Sequence, residues 1–219
     1  MYHWIDDKEF LKRMRGECSN LINELVQYIN NEDFLRVEAQ LVGSGGRNLI
    51  TQNADKSIDL DYNLNIIGID GDINGDAKQI KEYIREAFNI ILKRNNWGDC
   101  KDSTSALTTE RRYFTEGNNT EFSIDLAITY EDNNGSRHRL IHDKTGFTVL
   151  DRWYRVQSPN SEQLQRKIVG LKDANLWNDV RETYLKKKNM YLVRNDYNHP
   201  SFVCYIEAVN EIYFKNFEI

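Results

Sequence analysis

Apolar residues recur at two different spacings along the chain, and each spacing predicts a different element. Between residues 7 and 30 they recur mostly at three- and four-residue steps, which is the period of an amphipathic helix. Residues 34–42 and 57–67 instead alternate apolar with polar positions and are rich in branched side chains, so each predicts a strand. A second helical period covers about 77–95, where Asp76 can serve as the N-cap.

The rest of the chain changes from strand to helix at about residue 151. From 105 to 150, short alternating runs are broken by the turn sequences EGNNTE and EDNNGS, a pattern typical of antiparallel hairpins. Beyond 151 we expect three helices, which start after Ser158-Pro159, within residues 175–192 and at Ser201. The pattern predicts an α+β fold in which a mixed sheet flanked by helices (1–150) is followed by a helical part packed against it (151–219).

Composition narrows the class of protein. Apolar residues make up 40% of the 219 positions and charged residues 29%, with only two prolines, which excludes wholesale disorder. No apolar run approaches the roughly 18 residues of a membrane helix, and the acidic start MYHWIDDKEF lacks the apolar region of a signal peptide. We therefore expect a globular protein in the cytoplasm with no membrane partner.

The net charge and the cysteines narrow the kinds of binding partner and cross-link expected of the protein. The net charge of −5 disfavours a nucleic-acid groove, since phosphate backbones are bound by clustered Lys and Arg. Small substrates or protein partners are favoured instead. Cys18, Cys100 and Cys204 are odd in number and widely spaced, so they indicate neither a disulfide framework nor a zinc site.

Two carboxylates stand two residues apart in the strand SIDLDYNL. Alternation places Asp59, Asp61 and Asn63 on one face of this strand. Carboxylates about 7 Å apart raise each other's pKa unless a cation lies between them. Mg²⁺ takes oxygen ligands and commonly uses one or two protein carboxylates together with substrate phosphates. The pair predicts a divalent-cation site, with a merely polar, solvent-facing strand as the alternative.

Two further features accompany this pair. In EFSIDLAITY, Asp125 shares a predicted strand face with the small residues Ser123 and Ala127, which leaves space for a ligand. In LVGSGGRN, Gly43-Ser44 ends a strand, and such glycine turns can present backbone N–H groups to phosphate. The turn matches neither the Walker pattern nor the dinucleotide fingerprint.

The order of these features resembles the nucleotidyltransferase superfamily. A strand is followed by Gly43-Ser44, then by fourteen residues, then by Asp59-x-Asp61 on a strand and by Asp125 on a later strand. This arrangement resembles polymerase β, poly(A) polymerase, the CCA-adding and oligoadenylate-synthase-like enzymes and the antibiotic nucleotidyltransferases, over about residues 34–130. The gap before Asp59 is slightly longer than usual, and Arg47 is the only basic residue near the turn.

The resemblance implies a fold, a reaction and a set of residues. It implies the nucleotidyltransferase fold and transfer of a nucleoside monophosphate from an NTP to a hydroxyl, with release of pyrophosphate. Two Mg²⁺ or Mn²⁺ ions would be held by the catalytic carboxylates. The residues implied are Asp59, Asp61 and Asp125 for the metals and Gly43, Ser44 and Arg47 for the nucleotide.

Other residues are candidates for the same site. Lys187, from the lysine run 186–188, is a candidate phosphate contact, although such runs are commonly solvated helix faces. Asn63 is either an acceptor contact or a plain surface residue. Four aromatic side chains could stack on a base but fit a core role better: Trp153, Tyr154, Trp177 and Tyr191.

Two patterns imitate metal sites. The sequence DGDINGD (70–76) starts like a calcium loop, but Lys81 stands where the loop needs a glutamate. His138 and His142 would lie about 13 Å apart on one strand, too far for one metal. We interpret the first as a turn and the histidines as polar strand positions.

The sequence leaves several questions open. The acceptor could be a small molecule, a second nucleotide, a protein side chain or an RNA end, of which the acidic charge disfavours the last. The preferred NTP and the oligomeric state are open. The alternatives to an active enzyme are a catalytically idle relative that binds nucleotide or a partner protein, as an antitoxin would, and an unrelated α+β binding protein.

Overall fold

The computed structural model of the protein describes residues 1–69, 77–145, 148–156, 162–196 and 200–217. The chain forms two compact units. The sheet unit comprises Asp6–Arg47 and Ser57–Gln157. The helical unit comprises Met1–Ile5, Asn48–Lys56 and Ser158–Ile219. The division of the sequence into 1–150 and 151–219 stays a prediction.

Helices and strands are mixed along the chain, and the predicted α+β class is confirmed. In chain order the elements are β1 (Tyr2–Trp4), α1 (Lys8–Asn30), β2 (Leu35–Leu41), α2 (Gly43–Gly46), β3 (Thr51–Asn53), β4 (Ile58–Ile69), α3 (Ala77–Arg94), β5 (Lys101–Asp102), β6 (Leu107–Thr108), β7 (Phe122–Glu131), β8 (Arg137–Thr145), β9 (Thr148–Arg155), α4 (Glu162–Asp173), α5 (Trp177–Val193) and α6 (Ser201–Phe217).

The predicted long elements are found within two residues of their expected ends. Helix α1 begins where Asp7 Oδ1 accepts a hydrogen bond from the Phe10 amide at 2.9 Å, which satisfies one of the free N–H groups of the first turn. Helix α6 begins at Ser201 as expected. The segment 70–76, with Asp76, and the Ser158-Pro159 pair lie outside the described residues.

A mixed sheet forms the centre of the sheet unit. Its strands lie in the order β2-β4-β7-β6-β5, and β8 also pairs with β7 and with β9. Strands β4 and β7 are parallel, whereas the other pairings in this sheet are antiparallel. A parallel pair needs a crossover, and α3 lies in the connection between the two strands.

The two faces of this sheet differ in polarity. Apolar side chains of β4 and β7 alternate to one face, where α1 packs: the Phe10 ring lies 6.4 Å from the Phe122 ring, and Ser19 Oγ lies 2.9 Å from the Tyr62 hydroxyl. The opposite face carries the polar alternate positions, including Asp59, Asp61 and Asp125 of the predicted site. Burial of the apolar face against helices therefore turns the carboxylates to the other side.

The helical unit has its own core. Helices α4, α5 and α6 pack around buried residues that include Leu171, Val180, Tyr184 and Val209, and β1 pairs antiparallel with β3. Lys188 of α5 is buried here, and its ammonium donates to Thr51 Oγ1 at 2.9 Å. Burial lowers the pKa of Lys188 to about 8.

Three cysteines are buried and free, in agreement with the expected absence of a disulfide framework. Among the described residues, no helix is long and apolar enough to cross a membrane.

A buried group of charged side chains joins α3 to three strands. The Lys81 ammonium, with a side chain 3% exposed, donates to Asp102 Oδ2 at 2.5 Å and to Asp151 Oδ1. It also lies 2.8 Å from His142 Nδ1. We call Lys81, Asp102, His142 and Asp151 the Lys81 network. Its hydrogen bonds to Lys81 and His142 help to keep the pKa of Asp151 low although burial opposes this.

Replacing the central lysine tests how much this network stabilises the fold. Lys81→Met leaves Asp151, 5% exposed, and Asp102 without their cation. Breaking a buried ion pair on one side typically costs about 3–5 kcal/mol. We expect a loss of unfolding free energy of this size in urea titrations at pH 7.

The matched control is Lys78→Met on the exposed side of the same helix, which should change the unfolding free energy by no more than about 0.5 kcal/mol. A loss below about 1 kcal/mol for Lys81→Met would show that the network contributes little to stability.

Candidate functional site

The register of β4 and β7 brings the predicted carboxylates together. Asp61 is the direct partner of Asp125 across these parallel strands, and Asp59 is the partner of Ser123. Neighbouring strands lie about 4.8 Å apart, and paired residues of parallel strands point to the same face. Two strands whose paired residues are 64 positions apart in sequence thus place three carboxylates on one small area of the sheet.

Hydroxyl groups orient two of these carboxylates. Ser123 Oγ donates to Asp59 Oδ1 at 2.6 Å, and Thr108 Oγ1 donates to Asp125 Oδ1 at 2.6 Å. Within the part of the chain that the structure describes, no salt bridge reaches Asp59, Asp61 or Asp125. The negative charge of the group is therefore not neutralised by a contacting side chain.

This concentration of charge is visible in the pKa of two carboxyls. Burial, together with the charges of Asp125 and Asp59, raises the pKa of Asp61 to about 6, although Arg139 and Arg47 act in the opposite direction. Burial also raises the pKa of Asp125, against the lowering effect of the Thr108 hydrogen bond. Holding these groups ionised costs free energy that a bound cation would offset.

The glycine turn lies directly against Asp61. Helix α2 is a single turn that packs on β2 and β4, and the Val42 amide donates to the Asp61 carbonyl at 2.8 Å. Gly43 has φ +60°, and a Cβ built on it would lie 2.0 Å from Asp61 Oδ2. Glycine is needed here because a side chain would be strained and would collide with the carboxylate.

The other nucleotide-binding residues predicted from the sequence are placed differently. Ser44 is a half-buried residue of α2, and Arg47 follows this turn and donates to the Gly43 carbonyl at 2.8 Å. Lys187 lies on α5 of the helical unit, where its ammonium is 2.8 Å from Glu211 and 3.8 Å from Glu207. Its predicted phosphate contact stays a prediction.

The aromatic candidates have contacts of their own. The Trp153 ring packs edge-on to Tyr130 with centroids 4.8 Å apart, and the exposed Tyr154 donates to Asp143 Oδ2 at 3.1 Å. In the helical unit, Trp177 and Tyr191 pack against the buried core. Trp153, Trp177 and Tyr191 are thus half-buried packing residues at the margin of a core, while Tyr154 lies at the surface.

Sequence reasoning missed or misjudged three residues of the carboxylate face. Asn63 is 9% exposed, and its Oδ1 is buried without a hydrogen-bond partner, so it is not a plain surface residue. Arg139 pairs with Thr129 across β7 and β8 and lowers the pKa of Asp61. Thr108, which holds Asp125, lies on a two-residue strand that no periodic pattern could have indicated.

A second group of potential metal ligands lies on the opposite face of the sheet. One potential ligand atom from each of Asp102, His142 and Asp151 lies within 4.8 Å of the other two. Among the described residues, this is the set of acidic and histidine side chains close enough together to hold a metal ion. The Lys81 ammonium already lies among these atoms. His142 is thus a member of a buried charged network instead of a plain polar strand position.

The carboxylate face fits a divalent cation by its chemistry. Three carboxylate side chains share one face, two of them on directly paired residues, and oxygen ligands are what Mg²⁺ and Mn²⁺ prefer. In the described structure, however, the three do not bring ligand atoms within 4.8 Å of one another as the Lys81 network does. Like charges keep apart without a cation, so a bound ion would have to draw them closer.

Comparison with known proteins identifies the fold. No protein-family model matches the sequence, and no curated protein matches it significantly. Among solved structures, CdnC of Escherichia coli MS115-1 with ATP superposes with a TM-score of 0.56 at 14% identity, over 93% of this chain and 61% of that one. The chain has the nucleotidyltransferase fold.

Two structures of DncV from Vibrio cholerae also share this nucleotidyltransferase fold. The form bound to 3′-deoxy ATP has a TM-score of 0.54 at 12% identity, over 95% of this chain and 52% of that one. The complex with the linear intermediate 5′ pppA(3′,5′)pG has a TM-score of 0.51 at 10% identity, over 81% of this chain and 47% of that one.

CdnC and DncV are CD-NTases of the nucleotidyltransferase superfamily, so the resemblance inferred from the sequence is confirmed for the fold. The chain spans 61% of the CdnC chain and 52% of the DncV chain bound to 3′-deoxy ATP.

The raised pKa of Asp61 generates a prediction about stability. Its folded value of about 6 exceeds the reference of 3.8, so the folded state loses stability as the pH rises through this window, and the cost is complete above pH 6. Asp61→Asn removes that charge. We expect the variant to be more stable than wild type by about 1–3 kcal/mol at pH 8 in EDTA, with the difference vanishing towards pH 4.

Urea titrations at pH 4, 6 and 8 measure this difference. Asp55→Asn, at an exposed position, is the matched control and should show no such pH trend. An Asp61→Asn variant less stable than wild type at pH 8 would show that the carboxylate is not under electrostatic strain.

Proposed function

We propose that the protein is a metal-dependent nucleotidyltransferase that transfers a nucleoside monophosphate from an NTP to a hydroxyl group and releases pyrophosphate. The observation that carries the proposal is the in-register pairing of Asp61 with Asp125, with Asp59 on the same face and the Gly43 turn against Asp61. Polar hydroxyls and uncompensated carboxylates beside a glycine turn form a site for a metal-bound triphosphate.

Each residue has a distinct task in this proposal. Asp59 and Asp61 would hold one divalent cation, and Asp125 with the same pair would hold a second one. Gly43, Ser44 and Arg47 would bind the β and γ phosphates, because a glycine turn can present backbone N–H groups to phosphate and this turn lies against Asp61. When bound, the cations would stabilise the developing charge and lower the pKa of the acceptor hydroxyl.

The reaction is an in-line displacement. The acceptor oxygen forms a bond to the α-phosphorus while the bond to the bridging oxygen of the β-phosphate breaks. Pyrophosphate leaves with the electron pair of that bond, and the hydroxyl proton passes to a carboxylate or to solvent.

For the acceptor we propose the hydroxyl of a second nucleotide. Support comes from DncV, a cyclic AMP-GMP synthase that was solved with the linear dinucleotide intermediate 5′ pppA(3′,5′)pG. The acidic net charge agrees with a small acceptor in preference to an RNA end. A protein partner is a further proposal, since CdnC was also solved in a complex named CdnC:HORMA-deltaN.

Turnover of labelled nucleotides tests the proposal. We expect the protein, incubated with each NTP alone and in pairs with Mg²⁺ or Mn²⁺, to release pyrophosphate and form a phosphodiester product. Asp59→Ala and Asp125→Ala should each lower the rate at least about 10²-fold, because each removes a metal ligand. Asp55→Ala is the matched control at an exposed position and should retain the rate.

Two outcomes would contradict this function. Pyrophosphate release that persists in both alanine variants would show that the carboxylates are not the site of reaction. Metal-dependent binding of NTP without any product would instead support the idle alternative, in which the fold serves binding alone.

A further inference from the structure

The β5–β6 hairpin sends side chains to both faces of the sheet. Asp102 pairs with Leu107, and Thr108 pairs with Asp125 of β7. Because successive strand residues alternate, Asp102 points to the face where the helices pack and Thr108 points to the carboxylate face. The contacts agree: Asp102 accepts from Lys81 at 2.5 Å, and Thr108 donates to Asp125 at 2.6 Å.

This hairpin has too little regular structure to hold its own shape. Each of its strands has two residues, and isolated hairpins are at best marginally stable. Contacts from outside therefore decide where Thr108 lies. The Lys81 network supplies one of them, because Lys81 binds Asp102 on the first strand. The backbone of β8 supplies another, because the His142 amide donates to the Thr104 carbonyl at the tip, at 2.7 Å.

Pairing with β7 supplies another contact. The Thr109 amide donates to the Ile124 carbonyl at 3.0 Å, and Thr109 Oγ1 accepts from the Ile124 amide at 2.9 Å. These bonds fix the second strand of the hairpin, while the Lys81 network fixes the first strand and the β8 backbone fixes the tip. Thr108 lies between the two sets of anchors.

The stability of the fold alone does not explain why this position holds the charged Lys81 network instead of apolar side chains. Buried ion pairs can often be replaced by apolar side chains of similar volume without loss of stability. The network, however, gathers polar groups from α3, β5, β8 and β9 at one point on the face of the sheet opposite the carboxylates. Charge-assisted hydrogen bonds are directional, whereas apolar contacts are not, so a polar group can fix the orientation of the backbone segment that it binds.

We propose that the Lys81 network is a positioning device for Asp125, acting across the sheet through the β5–β6 hairpin and the Thr108 hydroxyl. The hydroxyl directs Asp125 Oδ1 and leaves Oδ2 for a divalent cation. Lys81, Asp102 and Thr108 are positioning residues that touch neither cation nor nucleotide. This inference rests on the cation site of the proposed function.

Binding of Mn²⁺ alone, followed by the electron paramagnetic resonance of the free ion, tests the proposal without requiring turnover. Thr108→Val removes the hydroxyl at nearly constant volume. We expect it to weaken Mn²⁺ binding about 10–100-fold, as loss of a partner that orients a metal ligand commonly does. Thr108→Ser keeps the hydroxyl and should restore binding to near the wild-type value.

A double-mutant cycle tests the link across the sheet. Asp102→Asn weakens the interaction with Lys81 by removing the charge of Asp102. The buried Lys81–Asp151 ion pair remains, so the variant is expected to fold. It should weaken Mn²⁺ binding in the wild-type background. In the Thr108→Val background it should add little, because both changes act through the same hydroxyl. Thr115→Val, at an exposed position, is the control for a threonine replacement and should bind as wild type does.

Several outcomes would overturn the proposal. Wild-type protein that binds no Mn²⁺, unchanged binding in Thr108→Val, or fully additive effects in the cycle would each do so. Weakening by Asp102→Asn without weakening by Thr108→Val would place the ion in the Lys81 network itself and would also overturn it. If the expected Mn²⁺ pattern appears but no NTP is turned over, the proposed function fails while the positioning role stands.

Discussion

Parallel pairing of β4 with β7 is the constraint on which the rest of the structure depends. It sets the register that puts Asp61 opposite Asp125, and the same register turns the apolar positions of both strands towards the helices. A shift of one residue in either strand would send its carboxylates to the buried face and its apolar residues to the surface. Core packing and site geometry are thus fixed by one set of backbone hydrogen bonds.

This arrangement leaves like charges close together on a half-buried surface. Two of the carboxylates receive hydrogen bonds from neighbouring hydroxyl groups: Ser123 donates to Asp59, and Thr108 donates to Asp125. These bonds orient the carboxylates without neutralising their charge. On the other face of the same sheet, the Lys81 ammonium contacts both Asp102 and Asp151 directly. One acidic group therefore has a cation supplied by the protein itself, whereas no salt bridge among the described residues reaches the other. This contrast is the reason for proposing the second group as the site of a bound cation.

Local patterns in the sequence were sufficient for the long elements and for the faces of β4 and β7, because the period of apolar residues decides both. They also put Asp59, Asp61 and Asp125 on the polar faces of their strands, while the resemblance to the nucleotidyltransferase superfamily grouped them as a set. They could not yield Thr108 or the Lys81 network, whose members come from four elements distant in sequence. Nor could they show that Asn63 is buried, since burial depends on long-range packing. Strands of two residues, such as β5 and β6, are too short to show an alternation of apolar and polar positions. They are recognised only from their hydrogen-bonded pairing with neighbouring strands.

Anomalous diffraction from crystals soaked in Mn²⁺ is the most direct test of the central claim that the carboxylate face is the cation site. We predict a peak about 2.0–2.2 Å from carboxylate oxygens of Asp61 and Asp125, the distance at which small divalent cations bind oxygen. A peak among Asp102, His142 and Asp151 with Lys81 displaced, or no peak on the carboxylate face at saturating Mn²⁺, would contradict the account.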